Sequence, residues 1–152
     1  VVLEGPDGSR VRFWLHPDGW LEPYPGVQVQ VDWEGDYPDY VYVLTTPRQQ
    51  VYRFDREGRL LERRDRHGRV ISYTYSLDGR LSRAWEPVTG RFLDFAYDDQ
   101  GRMTEVRDPI DRTVAFGYDE TGNLTVVTDT RHLTWTYTFT RNGVDDRRAR
   151  RR

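Results

Sequence analysis

The chain has no cysteine, no lysine and a single methionine, Met103. Without cysteine there is no disulfide framework, no zinc ribbon and no thiol nucleophile. Without lysine, all 23 basic residues are arginine, a bias to which we attach no functional reading. No apolar run approaches the roughly 18 to 20 residues that cross a bilayer as a helix, so no membrane insertion is expected. Helical periodicity is missing too, the arginine-rich end being the one weak candidate. Ser9, Ser72, Ser76 and Ser82 lack the Gly-x-Ser-x-Gly context of a nucleophile elbow, and there is no Gly-rich phosphate loop. What is present is a 152-residue chain, enough for one domain, with 36% hydrophobic and 32% charged residues. Aromatics are abundant, at five Trp, ten Tyr and six Phe.

The formal net charge of −2 conceals a gradient. Residues 1–46 carry eight acids against two Arg, residues 47–140 fifteen of each, and residues 141–152 six Arg against two Asp. The body is therefore neither a polyanion nor a cation built for nucleic acid, and no nucleic-acid partner is expected. The opening Val1-Val2-Leu3-Glu4 has neither a charged nor an apolar signal region and no Met, so it reads as a piece of a longer chain.

An internal repeat organises the middle of the chain. Its units are Arg53-Phe54-Asp55-Arg56-Glu57-Gly58-Arg59-Leu60, Thr74-Tyr75-Ser76-Leu77-Asp78-Gly79-Arg80-Leu81, Ala96-Tyr97-Asp98-Asp99-Gln100-Gly101-Arg102-Met103 and Gly117-Tyr118-Asp119-Glu120-Thr121-Gly122-Asn123-Leu124. A degenerate echo follows at Thr138-Phe139-Thr140. The aromatics at 54, 75, 97, 118 and 139 fix a period of about 21 residues. Between them recur Asp65-Arg66-His67-Gly68-Arg69, Glu86-Pro87-Val88-Thr89-Gly90-Arg91, Asp108-Pro109-Ile110-Asp111-Arg112 and Asp129-Thr130-Arg131-His132.

Each unit makes physical sense as two strands and two turns. Segments such as Val70-Ile71-Ser72-Tyr73-Thr74-Tyr75 and Leu93-Asp94-Phe95-Ala96-Tyr97 alternate as strands do and are rich in β-branched and aromatic residues. The step from aromatic to Gly suits a type I turn closed by a residue with positive φ, and the intervening acid or Ser can bond the turn backbone. After the turn, Leu60/Arg63, Leu81/Ala84, Met103/Val106 and Leu124/Val127 lie three apart, which strict alternation does not allow, so a bulge is expected there. The fold class is all-β: tandem antiparallel hairpins in a twisted, spiralling sheet. Residues 1–46 read as a β-meander leading into the repeats, with strands at Arg10–Leu15, Val27–Val31 and Asp39–Leu44 and an acidic loop from Asp32 to Asp39. Residues 47–141 are the repeats, and 142–152 an arginine-rich tail expected to be disordered.

The tandem Tyr-Asp…Gly-Arg-Leu…Asp-Pro pattern resembles the RHS/YD-repeat family. Bacterial RHS polymorphic toxins, wall-associated proteins, shell components of insecticidal toxin complexes and animal teneurins belong to it. Pro6-Asp7-Gly8-Ser9-Arg10, Tyr24-Pro25-Gly26-Val27 and Val43-Leu44-Thr45-Thr46 resemble the segment preceding the first repeat in bacterial members. The resemblance implies hairpins joined edge to edge into a hollow shell around a toxic C-terminal domain, in a secreted or surface-displayed protein. The implied partners are the rest of that shell and its toxin cargo, with no cofactor. Glu86-Pro87-Val88-Thr89-Gly90-Arg91-Phe92 faintly resembles a self-cleavage motif of the family, but it sits in mid-repeat and reads as an ordinary loop.

Candidate chemistry is sparse, and a non-enzymatic role is expected. His16, His67 and His132 read as turn residues rather than metal ligands. Asp32, Glu34 and Asp36 begin like a calcium loop, but Tyr37 and Val43 stand where Gly and Glu are required, so no metal is expected. Asp98/Asp99 and Asp145/Asp146 are sequence neighbours, not carboxylates flanking a cleft. Trp14, Trp20, Trp33, Trp85 and Trp135 could pack the sheet face or, as the alternative function, hold a carbohydrate on a cell surface. Open strand edges would also permit a weak homo-oligomer.

Overall fold

A computed structural model describes residues 2–4, 10–17, 21–26, 28–36, 39–139 and 150–151. The described elements are all strands, and they fall into two compact units, Val1–Thr74 with Glu86–Val88 and Tyr75–Trp85 with Thr89–Arg152.

The first unit opens with three short antiparallel strands, β1 (Val2–Glu4), β2 (Arg10–Leu15) and β3 (Leu21–Pro23), in the order β1-β2-β3. It continues with β4 (Gln30–Glu34), β5 (Val41–Thr45), β6 (Val51–Phe54), β7 (Leu60–Arg64) and β8 (Val70–Tyr75), each antiparallel to the one before. Cross-strand register brings Val31, Leu44, Tyr52, Arg63 and Ile71 into one row, and Trp33, Tyr42, Phe54 and Leu60 into the next. Paired residues share a face. Phe13 and Leu21 from the small sheet lie on that face and complete a cluster with Leu44, Phe54 and Leu60, while Val29, Val31, Tyr42, Tyr52 and Tyr73 pack around it. Part of residues 1–46 thus covers the start of the repeats, and the buried hydrophobic residues, among those described, all lie in this first unit.

Two boundaries differ from the alternation. The strand expected over 27–31 runs from Gln30 to Glu34, into the stretch assigned to the acidic loop, and its partner runs from Val41 to Thr45. The cause is tertiary. Pairing with β5 holds Glu34 in the ladder, and Arg53 of the adjacent β6 offsets its charge, with Nε and Nη2 donating to its two oxygens at 3.2 and 3.1 Å.

The second unit carries β9 (Leu81–Trp85), β10 (Phe92–Tyr97), β11 (Met103–Arg107), β12 (Thr113–Tyr118), β13 (Leu124–Thr128) and β14 (Thr134–Thr136), again antiparallel in chain order. One face is apolar: Phe95 opposes Val106, which opposes Val114, and Phe116 opposes Val127, which opposes Trp135. These residues are half-buried; among the described residues, none of this unit is fully buried. The tail expected to be disordered contributes a two-residue strand, β15 (Arg150–Arg151), paired with β14. An otherwise open edge offers unpaired backbone groups that any extended dipeptide can satisfy. Residues 140–149 lie outside the described part of the chain.

Three of the four expected bulges, those at Leu60/Arg63, Met103/Val106 and Leu124/Val127, are present. Register shifts fall between Arg53 and Phe54, Ala96 and Tyr97, and Gly117 and Tyr118. In each, one residue after the turn (Leu61, Thr104 or Thr125) has no partner of its own, so two residues oppose one. The slip returns residues three apart to the same face, which is why Met103 and Val106 both join the apolar side.

The turn positions that require positive φ are filled by glycine at 58, 68, 79, 90, 101 and 122, and by Gln49, Asp111 and His132 elsewhere. Gln49, at φ 59°, has a Cβ that crowds the following carbonyl. Gln49→Gly is expected to raise the stability by about 1 kcal/mol, since relief of that crowding outweighs the extra freedom of the unfolded glycine. A rise in the urea midpoint is the measurement, and a fall would mean that the glutamine side chain contributes something to the folded state.

Candidate functional site

The repeat-defining residues form one turn design used at nearly every strand connection. The Asp N–H donates to the carbonyl four residues on, and the residue with positive φ donates back to the Asp carbonyl. Asp98 N–H reaches Arg102 O at 2.9 Å and Gly101 N–H reaches Asp98 O at 2.9 Å. The same pair of bonds occurs at Asp55, Asp65, Asp108, Asp119 and Asp129. The two sequence motifs, Tyr-Asp…Gly-Arg and Asp-Pro…Arg, are therefore one structural device placed at alternate ends of the strands.

The carboxylate locks each turn. Asp98 Oδ1 accepts the Gln100 and Arg102 N–H groups at 3.0 and 2.9 Å, while Oδ2 accepts Arg102 Nε at 2.7 Å. Asp108 does the same with Ile110 and Arg112, and Asp65 with His67 and Arg69. Asp55 holds Arg59 through both its N–H and its Nε, each at 2.7 Å. Ser76, which departs from the pattern, is compensated by Asp78: the Ser76 hydroxyl donates to that carboxylate, whose Oδ2 lies 3.2 Å from Arg80 Nη1.

The arginine also reaches onward. Arg80 Nη1 donates to Asp98 O at 3.2 Å, and its guanidinium lies 5.8 Å from the Tyr97 ring centre. Arg102 Nη1 donates to Asp119 O at 3.1 Å, with its guanidinium 4.9 Å from the Tyr118 ring centre. Arg80 and Arg102 thus each close their own turn and stitch the next hairpin through a carbonyl and an aromatic face. Tyr118 adds a bond from its hydroxyl to Met103 O at 2.7 Å. Asn123 ends the series. It binds Asp119 Oδ2 at 3.0 Å but carries no guanidinium to extend further. The Tyr-Asp-Gly-Arg spacing pointed to the turn; nothing in it announced the contact between successive repeats. On the opposite face, Arg83 grips Asp94 through both oxygens at 2.5 and 2.9 Å and lies 4.2 Å from the Phe92 ring centre. That pair is directly opposed in the ladder.

These bonds favour the ionised form of Asp98, Asp108 and Asp119. The Arg102 backbone N–H and then its side chain keep Asp98 below the usual carboxylate range, and the Arg112 side chain does so for Asp108. At Asp119 the Asn123 amide and the Thr121 hydroxyl bring the value from 3.8 to about 2. A carboxylate depressed in the folded state contributes stability above its unfolded value and loses it as pH falls through the folded value. The urea midpoint is expected to hold from neutrality to about pH 4 and then to fall down to about pH 2. Asp119→Asn should flatten that decline. An unchanged slope would mean that the turn carboxylates are not the groups taking up protons.

The other candidates are placed as follows. Trp14 is exposed and lies 4.5 Å from Tyr24 in a tilted pair; Trp33 is exposed on β4. Trp85 pairs with Phe92, on the face opposite to the half-buried Trp135. Trp20 lies outside the described residues. The second unit therefore does not gather its tryptophans on one face. His16 Nε2 contacts Glu22 Oε2 at 2.8 Å, His67 Nε2 accepts Arg66 Nε at 3.0 Å, and His132 occupies its turn at positive φ. Asp32 accepts Gln30 Nε2 at 2.7 Å and Glu34 is held by Arg53. Among the described residues no group of three or more His, Cys, Asp or Glu converges as a metal site would require. Asp145 and Asp146 are outside the described part.

A family model described as RHS Repeat matches residues 54–84, 75–109 and 97–134. The "Probable deoxyribonuclease RhsB" of Dickeya dadantii (strain 3937) is 33% identical over 100 residues, which is 62% of this chain and 7% of that protein. Among solved structures, a chain of the TcdB2-TccC3-Cdc42 crystal structure superposes with a TM-score of 0.53 at 17% identity, over 92% of this chain and 7% of that one. The chain thus spans a small fraction of either relative, and the solved structure bears on the fold alone.

Proposed function

Starting from the chain's membership in the RHS repeat family, which its three overlapping repeat matches establish, we propose that it is a non-catalytic structural segment of a larger repeat shell. The observation that carries this reading is the stitching of one hairpin to the next. Arg80 binds the Asp98 carbonyl and Arg102 the Asp119 carbonyl, so each added hairpin finds the same acceptor and the same aromatic face. A device that repeats with the hairpin builds length, not a reaction centre. The apolar face of the second unit, half-buried and without a covering layer among the described residues, is suited to the inside of a wall. The cargo in this reading is a toxin at the parent's C-terminus, and the parent is secreted or displayed on a bacterial surface.

The nuclease named in the relative belongs, on this reading, to the part of that protein this chain does not span. The test has two arms. The gene around this segment should encode a long run of repeats followed by a C-terminus of different composition. The isolated chain should leave supercoiled DNA intact in the presence of magnesium. Nicking by the isolated chain, abolished by substitution of one of its own carboxylates, would overturn the non-catalytic role.

A further inference from the structure

The first unit contains an open cleft of about 590 Å³ where the turn at 46–50, between β5 and β6, lies beside the turn at 65–69, between β7 and β8. Arg48, Arg63, Arg66, Arg69 and His67 line it, with Asp65 as its single carboxylate. Asp65 is committed to Arg69, whose Nε and Nη2 both lie 2.7 Å from Oδ2. Arg48 and Arg63 form no ion pair among the described residues, and Arg66 donates its Nε to a histidine, not to an acid. Three guanidinium charges therefore converge on one concavity with nothing to offset them. Arg63 is half-buried, its guanidinium 6.0 Å from the Tyr52 ring centre, which steadies it where it is only partly hydrated.

The charge pattern of the connections makes the cleft stand apart. The connection at 55–59 has two acids and two Arg; those at 76–80, 86–91 and 129–133 have one of each. The connections at 98–102, 108–112 and 119–123 are net acidic, as is the stretch 35–39. Only 46–50, with Arg48, and 65–69, with Arg66 and Arg69 against Asp65, are net positive. These are the two that form the cleft. Turn closure does not explain the excess, because Asp65 and Arg69 already supply what the other turns use. Like charges brought together repel one another, and the repulsion is relieved when an anion occupies the space between them.

We propose that this cleft binds a phosphomonoester dianion. The net excess of three positive charges calls for a ligand of more than one negative charge, and guanidinium donors form paired bonds with tetrahedral oxyanions. Arg48 and Arg66 would approach from the two turns, Arg63 from the floor between them. The proposal rests on this cleft alone and is independent of the shell reading.

Calorimetric titration of the full chain with inorganic phosphate and with phenyl phosphate, at constant ionic strength, tests it. Saturable binding is expected, weakened about 10-fold or more in Arg48→Gln and in Arg66→Gln, as for loss of a charge-assisted hydrogen bond. Far-UV circular dichroism of both variants should match the parent. Arg131→Gln, in a turn of the second unit, should bind as the parent does. Flotation with phosphatidic acid vesicles identifies the source of the group: phenyl phosphate binding without flotation gives a soluble ligand, and flotation lost in Arg48→Gln gives a lipid headgroup. No saturable binding up to millimolar phosphate and no flotation, or binding that survives both cleft substitutions, overturns the proposal.

Discussion

Phe54→Ala is expected to lower the unfolding free energy by about 3–5 kcal/mol, the range for truncating a large buried aromatic. Phe54 is 2% exposed and sits between the repeat sheet and the small sheet, in the cluster with Phe13 and Leu21. Tyr97 holds the same position of a later repeat, yet it is only half-buried. Its loss should cost distinctly less, because fewer atoms lose contacts and water already reaches one side. Urea unfolding of the two variants compares them directly. Equal losses would mean that the small sheet does not cover the repeat face in solution, and that the core is not confined to the first unit.

A second large effect is expected at Gly101. Its φ of +82° lies where a β-branched residue is strained, so Gly101→Val should cost of order 1–3 kcal/mol from the backbone alone. A side chain there also crowds its neighbour, which must give by a few tenths of an ångström. A Cβ at this position would stand 3.0 Å from Arg80 Nη2, in the guanidinium that reaches over to the Asp98 carbonyl. Gly122, at φ +89°, has open space around it and isolates the backbone cost. Gly101→Val should therefore be the more damaging of the two. Adding Arg80→Ala should bring its further loss close to that of Gly122→Val, because the two substitutions share one contact. Equal losses at Gly101 and Gly122 would remove the stitching arginine as an energetic element.

Much of this was legible from the order of residues. Alternation and β-branched content placed the strands from β6 to β14, since local propensity and pairing agree there. The three-residue spacing of Met103/Val106 and Leu124/Val127 required a bulge, and Gly at 58, 79, 101 and 122 required positive φ. Both are local demands that the chain must meet wherever it goes. The boundary of β4 was not legible, because pairing with β5 carries the strand through Glu34, and its ion pair comes from Arg53, 19 residues away. The cleft was also out of reach. Arg48 and Arg66 look like ordinary solvated turn residues until two connections are set side by side.

By itself, then, the sequence determined the repeat, its turn chemistry, its all-β character and its family. Each follows from interactions within a few residues, repeated at a fixed period. The tertiary structure alone decided which aromatics are buried. Phe54 and Tyr97 occupy the same repeat position, but burial requires a second layer, and among the described residues Phe13 and Leu21 supply one in the first unit alone. It also decided that the arginines at 80 and 102 serve the following hairpin as well as their own. A guanidinium has donors pointing in more than one direction, and only the neighbouring backbone determines where the spare one goes.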